Sequence, residues 1–366
     1  MRLLHILWTG DIGGAERASF QLVQAQMQQP DFQVAVAFGQ QQGYYAEQLV
    51  KLGVEVTDLC MKSAHDVGAV PRIRQALAAY DAHHFHVAEP LIMLGSILTP
   101  GIRRYYTYRA GYHERQGKRA LRFRLIRWLV RNWFTAVSAN TAFGARVAEN
   151  LLQLPANSVL VTYNGVNFSL LNPTLSRQEA RHKLNIPNDK FLIGTVSNLK
   201  NWKRTDWLLR AAAPLPDKNW QLLIVGDGPM RPQLEQLANE LAISEQVTFA
   251  GQQKQVADWL VGLDAFVLPS SSGESFGNAA VEAMALGLPT IVCSDGGGLT
   301  EHIVPDQTGW IADGIEGITN CLAKIAQERE QAQQVGVRGK QAVREKYTVE
   351  KMVHAYNQLY AAIGVR

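Results

Sequence analysis

Two kinds of pattern alternate along the chain. Short runs of consecutive apolar, β-branched or aromatic residues end in turn-forming residues. Longer stretches between them repeat their apolar positions every three to four residues. The first pattern predicts strands buried on both faces, and the second predicts amphipathic helices. Strands are expected over residues 2–7, 33–37, 54–57, 82–85, 103–107, 133–137 and 158–162, with helices such as 15–28 and 140–152 between them. The series then restarts at 191–196 and continues through 221–225, 247–250, 265–268, 290–293 and 310–312.

Strands that alternate with helices make parallel sheets wrapped by helices. Two such series in 366 residues predict an α/β protein of two Rossmann-like domains. The polar stretch 164–187, with Asn172-Pro173 and Ile186-Pro187, is the expected boundary. Ligands of open α/β sheets bind beyond the carboxyl ends of the strands, so a cleft between two such domains is the expected site.

Composition narrows the class. A hydrophobic share of 47% fits a globular enzyme, and a formal charge of +4 is modest. Cys60, Cys293 and Cys321 are far apart with no C-x-x-C, which reads as free thiols in a reducing compartment. The first ten residues lack the length and cleavage site of a secretory signal. No run approaches the ~18 apolar residues of a membrane span. The expected location is therefore the cytoplasm.

The chemistry concentrates in a few strand-to-helix turns. In PSSSGESFGNAAVE, residues 269–282, a Ser/Gly-rich turn leads into a helix that starts near Gly277 or Asn278. The N–H groups and dipole of such a start attract anions. Glu274 lies before the start and Glu282 about one turn inside it, a reach on the order of 10 Å at ~1.5 Å per helical residue. That suits a diphosphate with a hydroxyl-rich ring at each end. Spacing alone leaves a solvated helix acid and a turn acid equally open. The segment VSNLKNWKR places Lys200, Lys203 and Arg204 on another such turn. Cations there stabilise a departing pyrophosphate, although a solvated basic loop has the same sequence signature. GDIGGAER carries Gly13 and Gly14, which permit close backbone approach without forming a dinucleotide fingerprint or a Walker A loop. VGDGP and DGGGLTE are weaker turns of the same type, equally readable as plain strand–turn–helix connections. No two aspartates are separated by one residue, and His83, His84 and His86 show no metal spacing with Cys or Glu. A site without metal or cofactor is expected.

Together these segments resemble the retaining GT-B glycosyltransferases of glycosyltransferase family 4. The resemblance is strongest over 225–309, in VGDGPMRPQLE, FAGQQKQVADWLVGLDAFVLPSSSGESFG, NAAVEAMALGLPTIVCSDGGGLTEHI and DQTGW. Glu274 and Glu282 match the family's E-x7-E, and GGAER and YNGV at 163–166 match as well. The resemblance implies that Glu282 holds ribose and Glu274 the donor sugar. It gives Asn278 and Ala279 to the distal phosphate, Lys203 to the diphosphate, backbone near Gly251–Gln252 to the base, and Gly13 and Gly14 to the donor. It also implies a last helix, 348–366, that returns to an N-terminal domain of 1–167 after a donor-binding domain of 168–347. The sequence departs from the pattern at Ser275, a frequent Gly, and at Asn198, where an Arg is common. Lys200 or Arg204 is the expected replacement for that charge. It departs again at Arg109, where T-x-H often ends. Arginine cannot act as a general base, so Arg109 is expected to orient substrate or phosphate.

Retention without an evident nucleophile in the first half suggests front-face attack. The acceptor side is strongly basic over 103–131. Arg103, Arg104, Arg109, Arg115, Lys118, Arg119, Arg122, Arg124, Arg127 and Arg131 face one acid, Glu114, and are interleaved with Leu121, Phe123, Leu125, Ile126, Trp128 and Leu129. An anionic membrane surface or a phosphorylated, lipid-linked glycan would suit this segment. No nucleic-acid motif accompanies it, so nucleic acid is not an expected partner. A nucleotide-sugar epimerase on the same two-domain plan is the alternative enzyme. An exported sugar-binding protein is the non-enzymatic alternative, and a nicotinamide dehydrogenase lacks its fingerprint.

Overall fold

A computed structural model describes residues 1–40, 43–110, 118–216 and 219–362. The chain divides into two units, Met1–Gly165 with Tyr347–Arg366 and Val166–Lys346.

The first unit contains β1 (Arg2–Leu7), β2 (Gln33–Phe38), β3 (Glu55–Asp58), β4 (Ala82–Phe85), β5 (Arg103–Tyr108), β6 (Ala136–Ala139) and β7 (Leu160–Val161). Their helices are α1 (Gly14–Gln26), α2 (Tyr44–Lys51), α3 (Val70–Leu77), α4 (Pro90–Ile97), α5 (Lys118–Trp133) and α6 (Ala142–Leu152). The second unit contains α7 (Arg177–Lys183), β8 (Phe191–Val196), α8 (Thr205–Ala212), β9 (Trp220–Val225), α9 (Arg231–Glu240), β10 (Val247–Gly251), α10 (Val256–Leu260), β11 (Ala265–Leu268), α11 (Asn278–Ala285), β12 (Thr290–Cys293), β13 (Trp310–Ala312), α12 (Gly314–Gln327) and α13 (Arg329–Lys346). The last helix, α14 (Val349–Ala361), belongs to the first unit.

The sheets run β3-β2-β1-β4-β5-β6-β7 and β10-β9-β8-β11-β12-β13. All their strand pairs are parallel. Each unit is therefore a doubly wound Rossmann-like sheet. The strand order reverses between β1 and β4 in one and between β8 and β11 in the other, and such switch points hold ligands.

One strand expectation fails. Residues 133–137 were expected to form a strand, but α5 runs through Trp133 and the strand is Ala136–Ala139. The aromatic residue suits either element, and packing decides. Ile126, Leu129 and Val130 of α5 are buried in the core beneath β4, β5 and β6, so the helix continues to the end of that seam.

The α14 helix buries Met352, Val353, Tyr356, Leu359 and Tyr360 against Leu3, Leu22, Ala82, Tyr105 and Ala136. Each fully buried apolar side chain of this size contributes about 1.5–3 kcal/mol. The glycine of YNGV has its reason here. A Cβ on Gly165 would stand 2.8 Å from Val349 Cα, and the Gly165 N–H donates to Met352 Sδ at 3.1 Å.

Candidate active site

In the second unit the loop after β11 and the turn after β8 are stitched together. The Ser271 N–H donates to Trp202 O at 3.0 Å, and the Glu274 N–H donates to Ser271 O at 2.9 Å. This brings Lys203, in the 3-10 turn Asn201–Lys203, into an ion pair with Glu274. Lys203 Nζ also lies 4.3 Å from the Trp202 ring centroid. Glu274 and Glu282 are both buried, at 8% and 6% exposure. The reading as two solvated acids therefore fails, since buried carboxylates require partners.

The start of α11 is built by a backbone turn. Gly277 adopts φ 72° and ψ 58° as its N-cap, and a Cβ there would stand 2.1 Å from Leu299 Cδ2. The Ala280 amide returns to Gly277 O at 2.9 Å, while Asn278 and Ala279 are half-buried at the helix start. His302 supports the loop from below, with Nε2 2.6 Å from Phe276 O. Burial pushes its pKa down to about 4, so it is the neutral Nε2–H tautomer that donates to this carbonyl. Gly296 of DGGGLTE packs closely on the same loop, and a Cβ would stand 2.8 Å from Cys293 O and 3.3 Å from Ser270 O.

The other expected donor residues separate into groups. Arg204 adopts the left-handed region at φ 50°, pairs with Asp295 at 2.7 Å and stacks 4.1 Å over Trp207. Its charge already has a partner. Lys200 and Asn198 are exposed beside it. Gly251 has φ +66° and is half-buried, and Gln252 is exposed. The Gly251 carbonyl accepts from the Gly226 N–H at 2.8 Å. Gly226 itself approaches backbone, with its hypothetical Cβ 1.9 Å from Ser197 O. The VGDGP turn is thus explained by strand packing alone. Gly13 caps α1 from extended backbone, and Gly14 is its first residue.

A second cluster lies at the switch point of the first unit. Sequence spacing showed no metal set among the histidines, but the parallel pairing of β1 with β4 sets His5 opposite His84. His5, His84 and His86 then come within 4.8 Å of one another through their ring nitrogens, and all are buried. Every one of those six nitrogens has a hydrogen-bond partner. His5 Nδ1 meets His86 Nε2 at 2.9 Å, and His5 Nε2 meets Gln26 Oε1 at 2.8 Å. His84 meets the Tyr360 hydroxyl at 2.8 Å and Thr107 Oγ1 at 2.7 Å. His86 Nδ1 accepts from Arg109 Nε at 3.2 Å. The lone pairs a metal would use are committed to neighbours, so the cluster fits a hydrogen-bonded network better than a cation site. Burial lowers all three pKa values, His5 to about 3. The rings are neutral.

Arg109 follows β5 and is half-buried. Besides His86 it donates to Asn164 Oδ1 at 2.8 Å and to the Tyr356 hydroxyl at 3.0 Å. Sequence reasoning found Arg109, held Asn164 only as part of YNGV, and missed His86 and Tyr356 as its partners. The H-x-H alternation at 84–86 and the i,i+4 tyrosines of α14 were the available signals.

The basic segment 103–131 needs correction in two places. Arg104 is buried, and its guanidinium donates to Ser96 O and Thr99 O at 2.6 Å each, so it belongs to the core. Arg122 pairs at 2.6 Å with Glu89, an acid distant in sequence. Burial, opposed by Arg122, raises the Glu89 pKa. His113, Glu114, Arg115 and the side chains of Lys118 and Arg119 lie outside the described residues. The interleaved apolar residues divide between faces. Ile126 and Leu129 point inward, while Leu121, Leu125 and Trp128 are 67%, 47% and 56% exposed. Among the described residues, no helix is long and apolar enough to cross a membrane.

Comparison with known proteins bears on the family and the fold. Residues 12–170 match the model described as Glycosyltransferase Family 4, and residues 176–342 match that of Glycosyl transferases group 1. A D-inositol 3-phosphate glycosyltransferase of Streptomyces scabiei is 34% identical over 48% of this chain and 42% of its own length. An N-acetyl-alpha-D-glucosaminyl L-malate synthase of Bacillus anthracis is 33% identical over 47% of this chain and 45% of its own. The chain thus spans about half the length of these curated relatives. Among solved structures, HepE from Anabaena in complex with UDP and glucose superposes with a TM-score of 0.85 at 18% identity, covering 99% of both chains. WaaG, a glycosyltransferase involved in lipopolysaccharide biosynthesis, superposes with a TM-score of 0.77 at 17% identity, covering 97% of this chain and 99% of its own. The two matched models between them take in every strand of both sheets except β1 and the loops that carry Glu274, Glu282 and Lys203, and the chain belongs to the group 1, family 4 glycosyltransferases of GT-B fold.

Proposed function

We propose that the protein transfers a sugar from a nucleoside-diphosphate sugar to a glycan or lipid-linked acceptor with retention of configuration. UDP is the favoured nucleotide, with GDP next, and cell-surface polysaccharide or lipopolysaccharide assembly is the favoured setting. The observation that carries this reading is the burial of Glu274 and Glu282 on either side of the start of α11, with Lys203 drawn onto Glu274. The UDP complex of HepE and the transferase names of the sequence relatives support it.

In this reading the diphosphate lies against the amides of Asn278 and Ala279, where the helix dipole favours negative charge. Lys203 exchanges its carboxylate partner for the departing phosphate, and Lys200 is the favoured candidate for the second cation, because Arg204 is held by Asp295. Asn198 borders the same turn. Glu282 accepts from ribose hydroxyls and Glu274 from the sugar. Gly251 and Gln252 border the base. The acceptor attacks the face that the diphosphate leaves, and a phosphate oxygen takes its proton. Cations and a helix start supply the charge stabilisation in place of a metal ion.

The outer face of α5 gives the proposed membrane contact. Leu121, Leu125 and Trp128 recur at helical spacing, and Arg124, Arg127 and Arg131 flank them with no acid in the helix. Such a face inserts its apolar residues at an anionic leaflet. Phosphatidylglycerol vesicles should sediment the protein at low salt, and L121Q/L125Q/W128Q should stay in the supernatant.

A panel of nucleotide sugars in thermal-shift assays tests the donor. A donor at about one hundred times its Kd adds about 2.7 kcal/mol of stability. Donor incubated alone should hydrolyse slowly, whereas conversion to a new nucleotide sugar would make the protein an epimerase. Near-normal transfer by Glu274→Ala would overturn the site.

A further inference from the structure

Among the described residues, the partners of the Arg109 guanidinium are neutral groups, His86 Nδ1, Asn164 Oδ1 and the Tyr356 hydroxyl. No carboxylate among the described residues forms an ion pair with it. A guanidinium has five N–H donors and accepts nothing, so two donors remain beyond these three contacts.

The histidines behind Arg109 explain why its charge survives. Because Arg109 Nε can only donate, His86 Nδ1 must be the bare nitrogen and its proton must sit on Nε2. That proton goes to His5 Nδ1, and the His5 Nε2 proton goes to Gln26 Oε1. The Gln26 amide nitrogen then reaches the Tyr360 hydroxyl at 3.4 Å, and that hydroxyl donates to His84 Nδ1. Every member accepts on the side toward Arg109 and donates away from it. The chain fixes the guanidinium in place without neutralising it. It begins at His86 and Arg109, which follow the carboxyl ends of β4 and β5 beside the switch point of the sheet, and passes inward through His5 of β1. A half-buried charge without a counter-ion is costly unless a ligand supplies one.

We propose that Arg109 binds an oxyanion carried by the acceptor, a phosphate or a carboxylate, with His86, Asn164 and Tyr356 as positioning residues. The word acceptor rests on the transferase reading; the anion site does not.

The test uses the full chain labelled with 15N-histidine. Inorganic phosphate is titrated in one arm and malonate in the other, and the His86 ring nitrogens are followed. The expected result is an Nε2–H tautomer for His86 whose signals shift saturably with at least one anion. The tighter anion identifies a phosphorylated or a carboxylated acceptor. Arg109→Gln should weaken that binding about ten-fold or more, the range for a charge-assisted contact. Arg109→Lys should fall between and carries the test if the glutamine variant does not fold. Calorimetry with UDP on the same samples should show equal affinity for wild type and variants. Unmoved His86 signals, or equal anion binding by the variants, overturn the proposal. So does UDP binding lost in the Arg109 variants alone, which would place the arginine at the donor. Failure of UDP to bind any sample counts against the donor reading, while the histidine signals still decide the anion site.

Discussion

Gly277→Ala places one methyl group at the point where the loop after β11 becomes α11. The cost has two parts. The backbone sits at φ 72° and ψ 58°, a left-handed conformation that costs an L-residue about 1–2 kcal/mol. The new Cβ would also stand 2.1 Å from Leu299 Cδ2 and 3.4 Å from Glu274 Cγ. Leu299 is fully buried, so relieving the first contact means repacking. Overpacking of this kind costs about 1–3 kcal/mol. The sum is about 2–5 kcal/mol. With an m-value near 2–3 kcal/mol/M in urea, the midpoint of the second unit should fall by about 1–2 M. Tryptophan fluorescence follows it through Trp202, Trp207, Trp220, Trp259 and Trp310 of that unit. Donor affinity should drop further than stability, because displacing Leu299 also tilts the first turn of α11 and moves Glu274. A midpoint within about 0.2 M of wild type would show that the turn is not under this constraint, and the helix start would lose its claim to be a fixed anion site.

The same structure sets further outcomes. Lys203→Met leaves Glu274 largely buried without its cation and should cost about 3 kcal/mol, part of which K203M/E274Q recovers; a single variant as stable as wild type refutes the pairing. Asp264→Asn removes the carboxylate shared by Arg177 and the buried Arg181, and a loss of about 3–5 kcal/mol in urea unfolding is expected, while a loss under about 1 kcal/mol contradicts it. Burial pushes the folded pKa of His5 down to about 3 and those of His83 and His302 down to about 4, and it lowers those of His84 and His86 as well. These pKa values lie below the roughly 6.5 of the unfolded chain, so the stability they permit is complete above about pH 6.5 and falls as pH drops toward 4, by about 1.4 kcal/mol per unit for each group. Unfolding at pH 5 should take up at least about three protons through these groups, and an uptake below about two is incompatible with neutral buried rings.

The legible part of the molecule was its local periodicity. Strands 2–7, 82–85, 191–196, 265–268, 290–293 and 310–312 stand where the apolar runs placed them, because each is bounded by turn residues and buried on both faces. The E-x7-E spacing was legible too, since a strand, a Ser/Gly turn and a helix start define where the acids fall along the chain. Their burial was not. Whether Glu274 meets water or Lys203 depends on the Ser271–Trp202 hydrogen bond between two loops about seventy residues apart.

The end of α5 shows why boundaries were less secure. Trp133 has a high strand propensity, and the core seam of Ile126, Leu129 and Val130 overrides it. The arginines of 103–131 carry the same lesson. Their charge is plain in the sequence, but Arg104 turns into the core and Arg122 finds Glu89.

Periodicity, turn residues and motif spacing are properties of neighbours in the chain, so the sequence by itself determined two parallel α/β sheets and the loops that carry the acids and cations. The histidine network gathers residues 5, 26, 84, 86, 109 and 360, and its members meet only once β1 pairs with β4 and α14 packs back onto the first unit. Burial, ion-pair choice and tautomer depend on contacts between distant segments, and tertiary structure alone decides them.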